Sequence, residues 1–159
     1  MNLQTIAINT LWGGVFAGSL AVRLTAPRRY LVTSFLAGAA GRFVFDILKT
    51  LNNTEALATG MGAMAVVLVA RLAFAGRESW QVVVISGVLP LAAGSAMVRA
   101  MWHLLELGSL QGEAHAKAIE ASTADASQVV VVSAAIVAGA TIGLILMRLL
   151  RREELFERA

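Results

Sequence analysis

Cysteine, proline and charged residues are scarce in this chain of 159 residues. It has no cysteine, which excludes disulfides, thiolate catalysis and cysteine-based metal sites. Charged residues make up 14% of the sequence and hydrophobic residues 58%, whereas soluble domains carry roughly 25% charged residues. So few charges cannot cover a surface that faces water. The composition therefore predicts an integral membrane protein of the all-α class.

Long apolar runs predict a single membrane domain, a bundle of about five transmembrane helices. A hydrocarbon core about 30 Å thick needs roughly 20 apolar residues per helix. The predicted spans cover residues 3–22, 30–51, 55–74, 81–107 and 128–150. Residues 108–127 form a polar linker, expected as a short helix or as a prolongation of the next one, and residues 151–159 form a charged cytoplasmic tail.

The arginines predict the orientation of the bundle. Five spans place the termini on opposite sides, and most arginines collect on one side. That side holds Arg23, Arg28, Arg29, Arg71, Arg77, Arg148, Arg151, Arg152 and Arg158. The positive-inside rule makes it cytoplasmic, so we expect the N-terminus outside and the C-terminus in the cytoplasm. Because these charges form no single patch, no nucleic-acid partner is expected.

The fourth predicted span is interrupted near Gly87, Pro90 and Gly94. Proline lacks an N–H and its ring clashes with the carbonyl four residues earlier, and glycine weakens a helix. In a membrane, freed backbone groups are tolerated only where they face protein or a water-filled cavity. A broken span therefore indicates a transport site. Ser86 and Ser95 flank the break, and their hydroxyls could bind freed carbonyls or a polar group of a substrate.

Ionisable residues within the spans suggest further site candidates. Arg42 and Asp46 are four residues apart and share a helix face. Such groups are costly in a membrane and usually face the bundle interior or a cavity. They are either a self-neutralising pair near the outer end of the helix, or a site in which Arg42 binds an anionic group and Asp46 carries a proton or orients Arg42. Arg99 either snorkels to the interface or supplies a second cationic group near a cavity mouth.

Motifs for other functions are missing. His103 and His115 lie at no recognised metal spacing, and no phosphate loop, HExxH or GxSxG element occurs. We therefore expect no metal and no cofactor, and we disfavour an intramembrane enzyme built on His103 and Glu106. Two small-xxx-small patterns begin at Gly14 and Gly139, and they predict tight helix packing within the chain or against a partner.

The interrupted block resembles a known signature. Residues 85–101, ISGVLPLAAGSAMVRAM, are similar to the signature of the threonine/serine exporter family, and in particular to the small subunit that corresponds to the second half of the full-length exporter. The matching positions are Gly87, Pro90, Leu91, Gly94 and Ser95. Ser86 and Ala93 stand where the family usually has proline, so the break should be softer. The resemblance covers roughly residues 11–146.

This resemblance implies a five-span subunit in a bacterial inner membrane, beside a second five-span subunit with a cytoplasmic head. Together they would export threonine- or serine-type amino acids, or a C4-dicarboxylate such as succinate. We expect Asp46 to couple export to protons. The substrate-path candidates are Ser86, Gly87, Pro90, Gly94, Ser95, Arg42 and Arg99. The alternative is a non-transporting assembly subunit, with the path wholly in its partner.

Overall fold

A computed structural model describes residues 2–73, 80–92, 94–106 and 112–156, without the side chains of residues 94–96 and 151–156. The regular structure of this part of the chain is helical throughout, which confirms the predicted all-α class. The elements are α1 (Leu3–Arg23), α2 (Arg28–Thr50), α3 (Glu55–Ala73), α4 (Trp80–Val88), the 3-10 helix η1 (Leu89–Leu91), α5 (Gly94–Glu106) and α6 (Glu113–Phe156).

Four helices are long and apolar enough to cross a membrane. They are α1, α2, α3 and the Glu113–Leu150 part of α6. The apolar stretch Trp80–Leu91 is shorter. At 1.5 Å per residue it extends about 18 Å, which is less than the roughly 30 Å of a hydrocarbon core.

The chain divides into two compact units. The first contains Met1–Leu91 and Ala135–Ala159, and the second contains Ala92–Ala134. Helix α6 therefore contributes its later residues to the first unit and its earlier residues to the second.

Helix α2 lies at the centre of the first unit, in contact with α1, α3 and α4. Short turns join α1 to α2 and α2 to α3, so neighbouring helices run antiparallel. A Cβ on Gly87 would lie 3.3 Å from the Cβ of Ala37, and a Cβ on Gly41 would lie 3.3 Å from Leu91 Cδ1. Residue numbers thus rise together along the two helices, and α4 runs parallel to α2.

Small residues bring these helices together. A Cβ on Gly14 would lie 2.8 Å from the Phe35 ring, and a Cβ on Gly139 would collide with the backbone of Gly60. The two small-xxx-small patterns therefore serve packing within the first unit. The buried apolar core beside them contains Tyr30, Ala37, Ala63, Val66, Ala70, Val83 and Leu91.

The predicted break in the fourth span is confirmed. Helix α4 ends at Val88, Pro90 lies in η1, and the next helix begins at Gly94. Because Pro90 has no N–H, the carbonyl four residues earlier loses its helical donor, and the helix tightens into a 3-10 turn. The polar stretch after residue 112 is the first part of α6.

Candidate functional site

An ion pair between a partly exposed arginine and a buried aspartate lies within the first unit. Asp46 is 1% exposed, and its carboxylate contacts the guanidinium of Arg42 one helical turn earlier. Arg42 Nη2 lies 3.3 Å from Oδ1, and Arg42 Nε donates to Oδ2 over 3.4 Å. The Arg42 guanidinium also sits 4.9 Å from the centre of the Phe45 ring. The structure thus brings together the two residues that the i, i+4 spacing predicted.

The carboxylate of Asp46 is weakly bonded for a buried group. Charge-assisted N–H···O bonds are typically about 2.7–2.9 Å long, and both bonds from Arg42 are longer. A buried carboxylate is costly unless its remaining lone pairs are also satisfied. The Asp46 carboxylate therefore has lone pairs that can accept a bond from another donor.

The broken helix ends beside this pair. Helix η1 contacts α1, α2 and α3. The Leu91 side chain at its end would meet a Cβ on Gly62 at 3.2 Å, and α2 passes the same point at Gly41. Asp46 lies five residues beyond Gly41, or about 7.5 Å along α2. The break that follows α4 thus lies about one turn of α2 before the buried carboxylate of Asp46.

Three of the predicted path residues lie in α4 and η1. Ser86 is buried, and its hydroxyl donates to the carbonyl of Val83 over 3.1 Å. This carbonyl belongs to the preceding turn of α4 and is not one that Pro90 frees. A Cβ on Gly87 would lie 2.7 Å from Val66 Cγ1, so only glycine allows α4 to approach so closely. Pro90 supplies the break itself.

The other predicted path residues belong to the second unit. Gly94 is the first residue of α5, and the side chain of Ser95 lies outside the described part. The Arg99 guanidinium contacts Asp125 of α6, with Nη2 3.1 Å and Nε 3.3 Å from Oδ1. Arg99 is therefore engaged in an ion pair between two helices.

Sequence reasoning missed Asp125. It lies 26 residues after Arg99 in a polar stretch, so no local spacing connects the two. His103 also approaches it, with Nε2 3.9 Å from Asp125 Oδ2, while Nδ1 lies 3.8 Å from Glu106 Oε2. Only the fold of α5 against α6 shows this cluster. Among the described residues, no group of His, Cys, Asp or Glu could hold a metal ion.

Together these features define a multi-pass α-helical membrane protein in which a buried, arginine-paired carboxylate lies beside a broken helix. The chain belongs to the threonine/serine exporter family, because the family model described as "Threonine/Serine exporter, ThrE" matches residues 9–146. The resemblance inferred from the signature block is thereby confirmed. This is a family of membrane transporters, not of enzymes. The chain matches no curated protein and no solved structure.

Proposed function

We propose that this chain is a membrane subunit of a secondary exporter of small polar metabolites. It lies in the bacterial inner membrane with its N-terminus outside, and a second five-span subunit completes the exporter. The ion pair of Arg42 with the buried Asp46, beside the α4–η1 break, carries the proposal. Intramembrane charges and broken helices both mark substrate and ion pathways in transporters.

The charge of the pair favours an amino acid over a C4-dicarboxylate. A zwitterion presents one carboxylate to Arg42 and one ammonium group to Asp46. A dicarboxylate needs a second cation, and the other described cations of α2 and α3 lie near helix ends. They are Arg28, Arg29, Lys49 and Arg71. Lys49 also lies 3.9 Å from Glu55, and Arg71 lies over the Trp80 ring at 4.7 Å.

The same pair supplies a coupling step. A substrate zwitterion that inserts between Arg42 and Asp46 replaces their mutual contact with two new charge-assisted bonds. A proton that reaches Asp46 from outside then removes the negative partner of the ammonium group and favours release on that side. The proton gradient thus drives export, as a proton enters while a substrate leaves.

Export by cells that carry this chain and its partner subunit tests the proposal. We expect Arg42→Gln to lower the export rate at least about tenfold, since one lost charge-assisted contact costs roughly 1.5–3 kcal/mol. Asp46→Asn should remove the dependence of export on external pH. Lys49→Gln is the matched control, because Lys49 lies on the same helix but pairs outside the site; it should export normally. Unchanged pH dependence in Asp46→Asn would exclude the coupling role.

The alternative function, a non-transporting assembly subunit, predicts a different pattern. The amount of partner subunit in the membrane would fall in these variants, while substrate preference and pH dependence of the remaining export stayed as in the wild type. The same pattern would follow substitution of Pro90, Gly94 or Ser95. Quantifying the partner in isolated membranes alongside export separates the two functions.

A further inference from the structure

The Arg42 guanidinium contacts an aromatic ring as well as a carboxylate. Its Nη2 lies 3.3 Å from Asp46 Oδ1, and its Nε lies 3.4 Å from Oδ2. The centre of the Phe45 ring lies 4.9 Å from the guanidinium carbon. A cation is attracted to the face of an aromatic ring within about 6 Å of its centre. The ring therefore contributes to where the guanidinium lies.

Two other arginines lie over aromatic rings, but their surroundings differ. The Arg29 guanidinium lies 5.0 Å from the centre of the Tyr30 ring, and that of Arg71 lies 4.7 Å from the Trp80 ring. Among the described residues, neither arginine forms an ion pair with a carboxylate. Within this part of the chain, Arg42 is thus the one arginine that contacts both a carboxylate and a ring.

Packing holds both the ring and the stem of the arginine. Phe45 is partly buried and packs against the apolar core of the first unit. It follows Arg42 by three residues on α2, so the two side chains are neighbours on the helix surface. A Cβ on Gly13 would lie 2.8 Å from Arg42 Cβ and 3.1 Å from Arg42 Cγ, so the backbone of α1 passes close to the arginine stem. The guanidinium therefore has little freedom to leave the ring.

The two partners of Arg42 respond differently to the proposed transport step. In that step a substrate ammonium group or a proton engages Asp46, and the carboxylate then holds Arg42 less strongly. An arginine that loses its partner within a span tends to extend toward the interface. The Phe45 ring takes up no proton, so its attraction for the guanidinium persists. Arg42 then stays where it can meet a substrate carboxylate.

The geometry points to Phe45 as a positioning residue, whose ring holds the Arg42 guanidinium in place while substrate or a proton engages Asp46. The inference rests on the proposed function and deepens it, since it adds how Arg42 is kept ready for a carboxylate. Phe45 acts through Arg42 and not on the substrate. Loss of the ring should therefore weaken substrate binding more than it slows turnover, because a mobile Arg42 must be ordered each time a carboxylate binds.

Transport of labelled threonine into inverted membrane vesicles that carry this chain and its partner subunit tests the inference. Phe45→Leu keeps an apolar side chain but removes the ring. We expect it to raise KM about three- to tenfold and to change kcat less than about twofold. Phe45→Tyr keeps the ring and should keep KM near the wild-type value. Phe43→Leu is the matched control, because Phe43 lies on the same helix and is 47% exposed; its KM should be normal.

A double variant shows whether Phe45 acts through Arg42. In an Arg42→Gln background, Phe45→Leu should raise KM no further, because the cation that the ring holds is gone. An equal rise in both backgrounds, or a normal KM in Phe45→Leu, overturns the inference. If Phe45→Leu is unstable in the membrane, Phe45→Met takes its place, because methionine fills an irregular apolar space without a ring. Impaired export by Arg42→Gln with a normal KM in Phe45→Leu rejects this inference alone, whereas normal export by Arg42→Gln rejects the proposed function with it.

Discussion

At the residue scale, two glycines of the small-xxx-small patterns have different surroundings. A Cβ on Gly139 would collide with the backbone of Gly60, whereas a Cβ on Gly18 would meet only Phe35 Cβ, at 3.9 Å. We expect Gly139→Ala to destabilise the protein by about 1–3 kcal/mol, because α3 and α6 must move apart. Gly18→Ala should be neutral or stabilising by about 0.5–1 kcal/mol, since alanine favours a helix. Thermal unfolding in detergent measures both changes. Equal stability of the two variants would contradict the Gly60–Gly139 contact.

Contacts between residues close in the sequence could be predicted, whereas contacts between residues on different helices could not. The Arg42–Asp46 pair follows from the helical repeat, because residues four apart share a face. Arg99 and Asp125 lie on different helices, and the intervening sequence carries no signal of their pairing.

At the scale of the element, the broken helix α4–η1 allows a test against the only other proline in the chain. Pro90→Ala restores an N–H and removes the ring that clashes with the preceding turn, so α4 should continue past Val88. We expect export to fall several-fold while the thermal stability is kept or raised. Pro27→Ala is the matched control, because Pro27 precedes α2 outside the bundle core; it should export normally. Normal export by Pro90→Ala would show that the break is not used in transport.

Some ends of the helices could be predicted from the sequence and others could not, for a physical reason. The turns after α1 and α2 and the break at Pro90 have strong local signals in proline, asparagine and charged residues. The polar stretch after residue 112 signals no membrane span, yet it is helical, because its many alanines favour a helix whatever surrounds it. A hydropathy pattern predicts whether a helix lies in a membrane. Helix propensity predicts whether the segment is helical at all.

At the scale of the whole molecule, the described contacts show whether the small residues pack helices of one chain or await a partner. Gly14 packs against Phe35 and Gly139 against Gly60, so these faces are used within one chain. Neither face is left as evidence for an oligomer. A second subunit is therefore supported by the resemblance to the small-subunit type rather than by an unfilled packing surface.

The orientation in the membrane can be tested with the whole chain, because it contains no cysteine and gives no background for thiol labelling. Leu24 and Leu51 follow α1 and α2 and are 44% and 66% exposed, so each tolerates a polar replacement. With the N-terminus outside, a membrane-impermeant maleimide added to intact cells should label Leu51→Cys and not Leu24→Cys. After the membrane is opened, both should react, which controls for accessibility. The reverse labelling would place the arginine-rich side outside and reject the proposed direction of proton entry at Asp46.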